Sequence, residues 1–462
     1  MNRKYKLYIG IDIGRKDNIV AFANEWGDEV RKRLRIKNTY YSMYDFKEAI
    51  DILVHDMNLE SYDEILVGVE STGHYWINLE TLLKRLNLKV VMVQGSVVKN
   101  MRNLIAPQKG KNDPIDSKAI AFCIKDGYYS EITPKSKEIN SLKNICRLRS
   151  EFIKSSTAVK NKIHAWLDVN NQFFLNIFNF TLQSTGLKIL EKYPLPADML
   201  NLSDAEFINE ILKENPLLSR KKALLYKEEV TTWKEYIIET TPAIRHEIKS
   251  YIRSYIYLEK QIKELDEEIE RATKEIYGRA YESLCNVKGM PNVSLSSLLA
   301  EIGNFSLFKN ARVLQSFIGL GISAEQSGEH LGESGITRRG NRRCRQALYI
   351  ITRQLIIHNQ EVKKLYCYYL SVKRTNENKK IEMWIATMCK LLRCIYGAIK
   401  NNSEFSYDVL FEKIDFSNCN MEKFNELYNK KNIEKVIDEN NKRDEKYKEK
   451  GHNRANMKKK RR

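Results

Sequence analysis

Patterned cysteine and histidine are missing from this 462-residue chain. Its eight cysteines fall at positions 123, 146, 285, 344, 367, 389, 394 and 419 with no C-x-x-C pair, and its seven histidines are scattered. That spacing argues against a zinc site. It leaves reduced core thiols in a cytosolic protein as the expected state. No apolar run reaches membrane-spanning length, so no membrane association is expected. The opening Met1-Asn2-Arg3-Lys4-Tyr5-Lys6 leads straight into a strand-like run, which is not the pattern of a signal peptide. Acidic residues are also short: 59 Asp and Glu stand against 78 Lys and Arg, a net charge of +19. With the basic residues clustered, this favours a polyanionic partner, nucleic acid above all, over a merely soluble basic protein. The length predicts two or three domains with real cores.

The stretch Tyr8-Ile9-Gly10-Ile11-Asp12-Ile13-Gly14 alternates strictly. Its isoleucines share one strand face, and Asp12 lies on the other between two glycines. Strands disfavour Asp. A mid-strand carboxylate with no bulky neighbour suits a metal or a phosphate, as in ribonuclease-H-like nucleases or in actin-like kinases. The kinase reading needs a second Asp-x-Gly phosphate loop downstream, and the sequence has none.

Strand-like runs at 6–14, 18–24, 30–37, 64–70 and 89–94, with helical patterns at 42–56 and 75–87, predict a mixed sheet with helices packed on it. The ribonuclease H fold has this order. Glu70 ends the fourth run. Asp113 precedes Pro114, which suits the first position of a helix, and Asp116 follows at i+3 on the same face. An Asp cap with an acid in the first turn is favourable without any chemistry. Two strand acids and two helix-start acids within 116 residues, however, are what a two-metal site requires. Lys109 and Lys111 add charge where a phosphate would approach.

Residues 131–240 read as mainly helical, with Trp166, Phe173, Phe174, Phe178 and Phe180 as core in preference to a base-stacking platform. A long helix opens at Thr241-Pro242. Its apolar positions 244, 248, 251, 255, 258, 262, 265, 269, 272 and 276 alternate by four and three. That is a coiled-coil pattern, with an earlier helix or a second protomer as partner. Residues 284–305 resemble a helix-hairpin-helix element, with Lys288 and Pro291 off its usual pattern; an ordinary helical hairpin fits equally. A Gly-rich loop with Ser323, Ser327 and Ser334 precedes a helix start dense in arginine: Arg338, Arg339, Arg342 and Arg343. Cations there oppose the helix dipole and call for an external anion, such as a phosphodiester. A serine just upstream is then either a nucleophile or an idle loop residue. Segments 342–372 and 381–401 read as two closing helices, and the tail is charge-rich.

The ordered fragments "YIGIDIG", "VGVESTGHYW", "KGKNDPIDSKAIA", "VKGMPNVSLSSLLAEIGNF", "FIGLGISAEQSGEH" and "ITRRGNRRCRQALY" resemble the DEDD transposases of the insertion sequence 110 family, bridge-RNA-guided recombinases. The resemblance covers roughly 6–126 and 245–400. It implies a RuvC-like, ribonuclease-H-like nuclease domain at 1–130 and a transposase domain at 281–402; with the helical coiled-coil region at 131–280 and the charged, partly disordered tail at 403–462 read from the residues themselves, an α/β plus all-α chain is expected. It implies an Asp12, Glu70, Asp113, Asp116 tetrad binding Mg²⁺, or Mn²⁺ in its place. It makes Ser327 the nucleophile, forming a 5′-phosphoserine link. It further implies donor and target DNA, a structured guide RNA, a homodimer or homotetramer, and a cytoplasmic, nucleoid-associated bacterial protein. A metal-dependent junction resolvase or nuclease using the tetrad alone is the alternative.

Overall fold

A computed structural model describes residues 4–429, apart from 38, 71–75, 108–112, 132–135, 178–183, 201, 215–219, 233, 235–240, 324–325, 328–329, 332–334, 337–339 and 373–379. The chain divides into two compact units, Met1–Pro134 and Lys135–Arg462.

The first unit holds strands β1 (Leu7–Ile13), β2 (Asp17–Asn24), β3 (Glu29–Lys37), β4 (Ile65–Glu70), β5 (Lys89–Val93) and β6 (Ser130–Glu131). They form one sheet in the order β3-β2-β1-β4-β5-β6. The β1–β2, β2–β3 and β5–β6 pairs are antiparallel, while β1–β4 and β4–β5 are parallel. This is the mixed sheet expected from the sequence, with its five expected strands joined by the short β6. Helices α1 (Tyr40–Asp56) and α2 (Trp76–Arg85) cover one face, where Leu7, Ile9 and Ile11 pack with Phe46, Ile50, Leu79 and Leu83. Helices α3 (Gly95–Ile105) and α4 (Asp113–Lys125) cover the other, where Tyr8, Leu66, Val91 and Val93 meet Val98, Ile120 and Ile124. With both faces covered, β4 is buried from Ile65 to Val69, as a strand in the middle of a two-sided core should be.

The second unit is helical apart from short strands. Helix α5 (Lys137–Asn170) is followed by α6 (Gln172–Ile177), α7 (Ser184–Lys192), α8 (Pro196–Leu200), α9 (Asp204–Glu214), α10 (Arg220–Thr232) and the 44-residue α11 (Pro242–Cys285). Helices α5 and α11 lie side by side in opposite directions. Arg149 pairs with Asp266 and Ser156 with Glu259, while Leu142 and Cys146 share a core with Ile269. None of the ten ladder positions of α11 is exposed, and Ile248 and Ile269 are fully buried. At one end of the helical pair, α6 to α10 gather around Trp166, Phe173, Phe174, Phe207 and Tyr226, so these aromatics are core. Phe178 and Phe180 lie outside the described residues.

Near the other end, α11 passes through Gly278 at φ 51°, ψ −132°, a kink inside the helix. It then turns at Gly289 (φ +85°) into α12 (Asn292–Ile302). Tyr277 Oη donates to the carbonyls of Leu299 and Gly303, and Tyr281 Oη bonds Ser296 Oγ, so the two helices form a pinned hairpin. Helices α13 (Ala311–Ile318), α14 (Arg342–His358), α15 (Gln360–Ser371) and α16 (Lys380–Asn401) complete the core, with Leu348, Ile351, Leu355, Trp384, Met388, Leu391 and Ile395 buried as expected. The stretch expected as one helix over 342–372 is two. The Asn359 side chain ends the first and accepts from the Glu361 and Val362 amides to cap the second.

The tail assigned to 403–462 begins as folded chain: α17 (Asp408–Phe411) and α18 (Met421–Asn429) bring Leu410, Phe424 and Leu427 into the main core. Those apolar positions outweigh the charge around them. Residues 430–462 lie outside the described residues.

An added Cβ at Gly278 meets nothing within 4 Å, so its replacement is a test of backbone strain alone. Gly278→Ala should cost about 1–3 kcal/mol in urea unfolding, with no loss from crowding.

Candidate active site

Register brings the first two acids together. In the parallel β1–β4 pair Ile11 stands opposite Val69, so Asp12 and Glu70 follow side by side at the carboxyl ends of neighbouring strands. Both continue the parity of Gly10 and Gly68, whose missing side chains face α4. An added Cβ at Gly10 would lie 2.1 Å from the Ser117 carbonyl and 2.4 Å from the Ala121 amide, and one at Gly68 would lie 2.6 Å from Ile124. Two glycines therefore let α4 rest directly on the sheet. Its direction follows from Gly27, at the turn after β2, which abuts Phe122 and Lys125. The far end of α4 thus lies near the start of β1, and its first turn, with Asp113 and Asp116, lies at the Asp12 end.

The side chains can be placed for three of the four acids. Asp12 and Glu70 are half-buried, and Asp116 is 2% exposed. The Glu70 carboxylate lies against the first turn of α3, where a Cβ on Gly95 would come within 2.6 Å of Oε1. That cradle holds an acid where the helix dipole favours one. Asp113 begins α4, and its side chain lies outside the described residues, as do Lys109 and Lys111. The donor set is oxygen alone, which suits a hard divalent cation such as Mg²⁺ or Mn²⁺. Among the described residues no three acidic, histidine or cysteine side chains gather tightly enough to hold a metal. The Asp116 carboxylate instead accepts from Arg102 Nη1 at 2.8 and 3.1 Å. Sequence reasoning missed Arg102 because it missed α3, whose N-cap Gln94 makes no side-chain capping bond.

The serine and arginine elements lie in the second unit. Ser327 sits in β8 (Gln326–Ser327), paired with β9 (His330–Leu331), with Ser327 opposite His330. On either side in sequence, β7 (Ile322–Ser323) pairs with β10 (Gly335–Ile336). The loop expected from sequence is thus two nested antiparallel ladders. The side chains of Ser323 and Ser327 lie outside the described residues, as do Ser334, Arg338 and Arg339. Arg342 and Arg343 open α14 and are exposed.

That helix start is held from several sides. Asn341 Oδ1 accepts from the Arg343 and Cys344 amides, and its own amide donates to the Phe317 carbonyl at 3.0 Å. Gly340 lies so close to α13 that a Cβ would come within 2.5 Å of Phe317 O. Asn341 Nδ2 donates to Glu301 Oε2 at 3.0 Å, and Glu301 also accepts from Arg147 Nε at 2.7 Å and pairs with Lys143 at 3.1 Å. Burial pushes the Glu301 carboxyl up, but hydrogen bonds from Arg147 and Asn341 and the Lys143 charge outweigh it and hold it at about 2. Sequence reasoning missed this hub, since its members are far apart in the chain.

Glu301 has its folded value depressed from 4.5 to about 2. Its stabilisation is therefore complete above about pH 4.5 and is lost as pH falls toward 2. Glu301→Gln should unfold at lower urea than the parent at neutral pH, and the gap should narrow steadily below pH 4.5. A gap independent of pH would show that the charge is not what holds the hub.

Residues 9–171 match the transposase model of the DEDD type from insertion element IS110, and residues 281–367 match the transposase model of the IS116/IS110/IS902 family. The transposase for insertion sequence element IS1111A of Coxiella burnetii is 23% identical over 288 residues, 60% of this chain and 66% of that protein. A 44.8 kDa protein of insertion element IS116 from Streptomyces clavuligerus is 21% identical over 75% of this chain and 84% of its own length. The pilin gene-inverting protein of Moraxella bovis is 29% identical over 42% of this chain and 63% of that protein. Among solved structures, T. thermophilus RuvC in complex with a Holliday junction substrate aligns over 28% of this chain and all of its own, at 13% identity and a TM-score of 0.21. With the DEDD domain and the second transposase domain matched in order along one polypeptide, the chain belongs to the IS110 family of insertion-sequence transposases.

Proposed function

We propose that this protein is a DNA recombinase that moves an insertion sequence by cutting and rejoining strands through a covalent serine link. The observation that carries the reading is the side-by-side placement of Asp12 and Glu70 one register step beyond Ile11 and Val69, with the first turn of α4 at the same end. Asp12, Glu70, Asp113 and Asp116 are the proposed holders of divalent metal, Mg²⁺ in the first instance. Metal bound there would polarise the scissile phosphate and lower the cost of ionising an attacking hydroxyl.

Ser327 is the proposed nucleophile. Its Oγ forms a bond to phosphorus as the bond to the 3′ oxygen breaks, leaving a 5′-phosphoserine and a free 3′-hydroxyl. Attack by another strand's 3′-hydroxyl reverses the step, so rejoining needs no external energy source. Arg342 and Arg343, with Arg338 and Arg339 before them and Lys109 and Lys111 in the first unit, supply charge for phosphates. A structured guide RNA is the proposed source of target choice. The α5–α11 pair is the proposed coiled-coil arm through which protomers assemble, with each acid site completed by the serine of a partner.

With DNA, guide RNA and Mg²⁺, a denaturant-stable adduct at a DNA 5′ end should form. It should vanish in Ser327→Ala, persist in Ser323→Ala, and be lost in Asp12→Asn while nucleic-acid binding survives. Cutting without any adduct would instead assign the chemistry to the acids and water, a nuclease using the tetrad alone. Binding should weaken steeply with salt, and Arg342→Gln with Arg343→Gln should flatten the log–log slope by about 0.9 per lost duplex contact.

A further inference from the structure

The contact between Arg102 and Asp116 has an unusual form. An arginine commonly meets a carboxylate as a fork, two nitrogens on two oxygens. Here one nitrogen, Nη1, serves both Oδ1 at 2.8 Å and Oδ2 at 3.1 Å. It straddles the carboxylate, which is how a cation sits in two-oxygen coordination. The pair is well removed from water: the Asp116 side chain is 3% exposed and that of Arg102 is 16%. A carboxylate buried to that degree is costly unless paired, and among the described residues Arg102 is the partner recorded for it.

We infer that Arg102 is the resident counter-ion of the acid site, holding Asp116 in the place of a divalent cation and giving way when one binds. The inference rests on the metal reading of the tetrad. It makes cation binding an exchange of one positive charge for another. The guanidinium then opposes metal entry and keeps the site ordered before it. An outer-shell partner that merely orients a ligand behaves in the opposite way, because losing one weakens metal binding by about 10–100-fold. The sign of the effect therefore separates the two roles.

The test is Mn²⁺ binding to the full chain, counted from the free-ion electron paramagnetic resonance signal, with thermal melting alongside. Arg102→Met should bind Mn²⁺ more tightly than the parent, melt lower without metal, and regain most of that loss at saturating Mn²⁺. Arg102→Gln, whose neutral amide can still donate to Asp116, should also bind more tightly and guards against a Met variant that does not fold. Arg102→Lys keeps the charge and should bind like the parent. Weaker or unchanged binding in both Met and Gln variants overturns the proposal while leaving the metal reading intact. A parent that binds no Mn²⁺, or binds it equally after Asp12→Asn, overturns both.

Discussion

Everything in the first unit depends on how closely α4 can approach the sheet. Gly10 and Gly68 are register partners on β1 and β4, and each leaves room that any side chain would take. The Ser117 carbonyl fills one gap and Ile124 the other. This contact determines more than packing. It fixes the height of the α4 first turn above the strand ends that carry Asp12 and Glu70. The alternation that gives β1 its three buried aliphatic residues on one face is the same alternation that puts Gly10 and Asp12 on the other. The α4 docking site and the proposed metal-binding carboxylate share one side of one strand.

Charge is used in two distinct ways. Some arginines are internal partners: Arg102 on Asp116, Arg147 on Glu301, Arg149 on Asp266. The carboxylates of Asp116 and Glu301 are buried, and a buried pair contributes little net stability, because desolvation offsets attraction, but breaking one side is costly. Their effect is positional. Glu301 joins α5, α12 and the cap of α14, so the helix carrying Arg342 and Arg343 is set relative to the long α5–α11 pair. Those two arginines are exposed, at the end of a helix where positive charge is unfavourable. Internal arginines fix the frame, and the exposed ones face outward.

Much of this was legible in the sequence, for reasons that can be traced. The alternating run Leu7–Ile13 and the continuous apolar run Ile65–Val69 marked two strands of the sheet, and the glycine-flanked Asp12 stood out because strands rarely hold a bare carboxylate. The ladder of α11 was plain, but its partner was not. In α5 the polar residues Arg149 and Ser156 occupy the row of Leu142, Cys146 and Ile163, and their pairing with Asp266 and Glu259 is invisible without the fold. Helix α3 escaped because it lacks a side-chain cap to mark its start. With it went Arg102. Asn359 escaped because apolar spacing continues on both sides of it. The folded stretch Asp408–Asn429 escaped because its charge obscured a few well-placed apolar residues.

The kink at Gly278 gives the second unit a property of leverage. Thirty-six residues of α11 precede it, a length of about 54 Å at 1.5 Å per residue. The backbone angles there, φ 51° and ψ −132°, belong to a region that residues with a Cβ rarely enter. One residue without a side chain thus shares, with the Glu301 contacts to α5, in setting the heading of the rod. A change of ten degrees at that point carries the far end sideways by roughly 9 Å, nearly the width of a helix. The aromatic cluster around Tyr226 lies at that far end. Its position depends in part on two torsion angles, a long way from any residue of its own core.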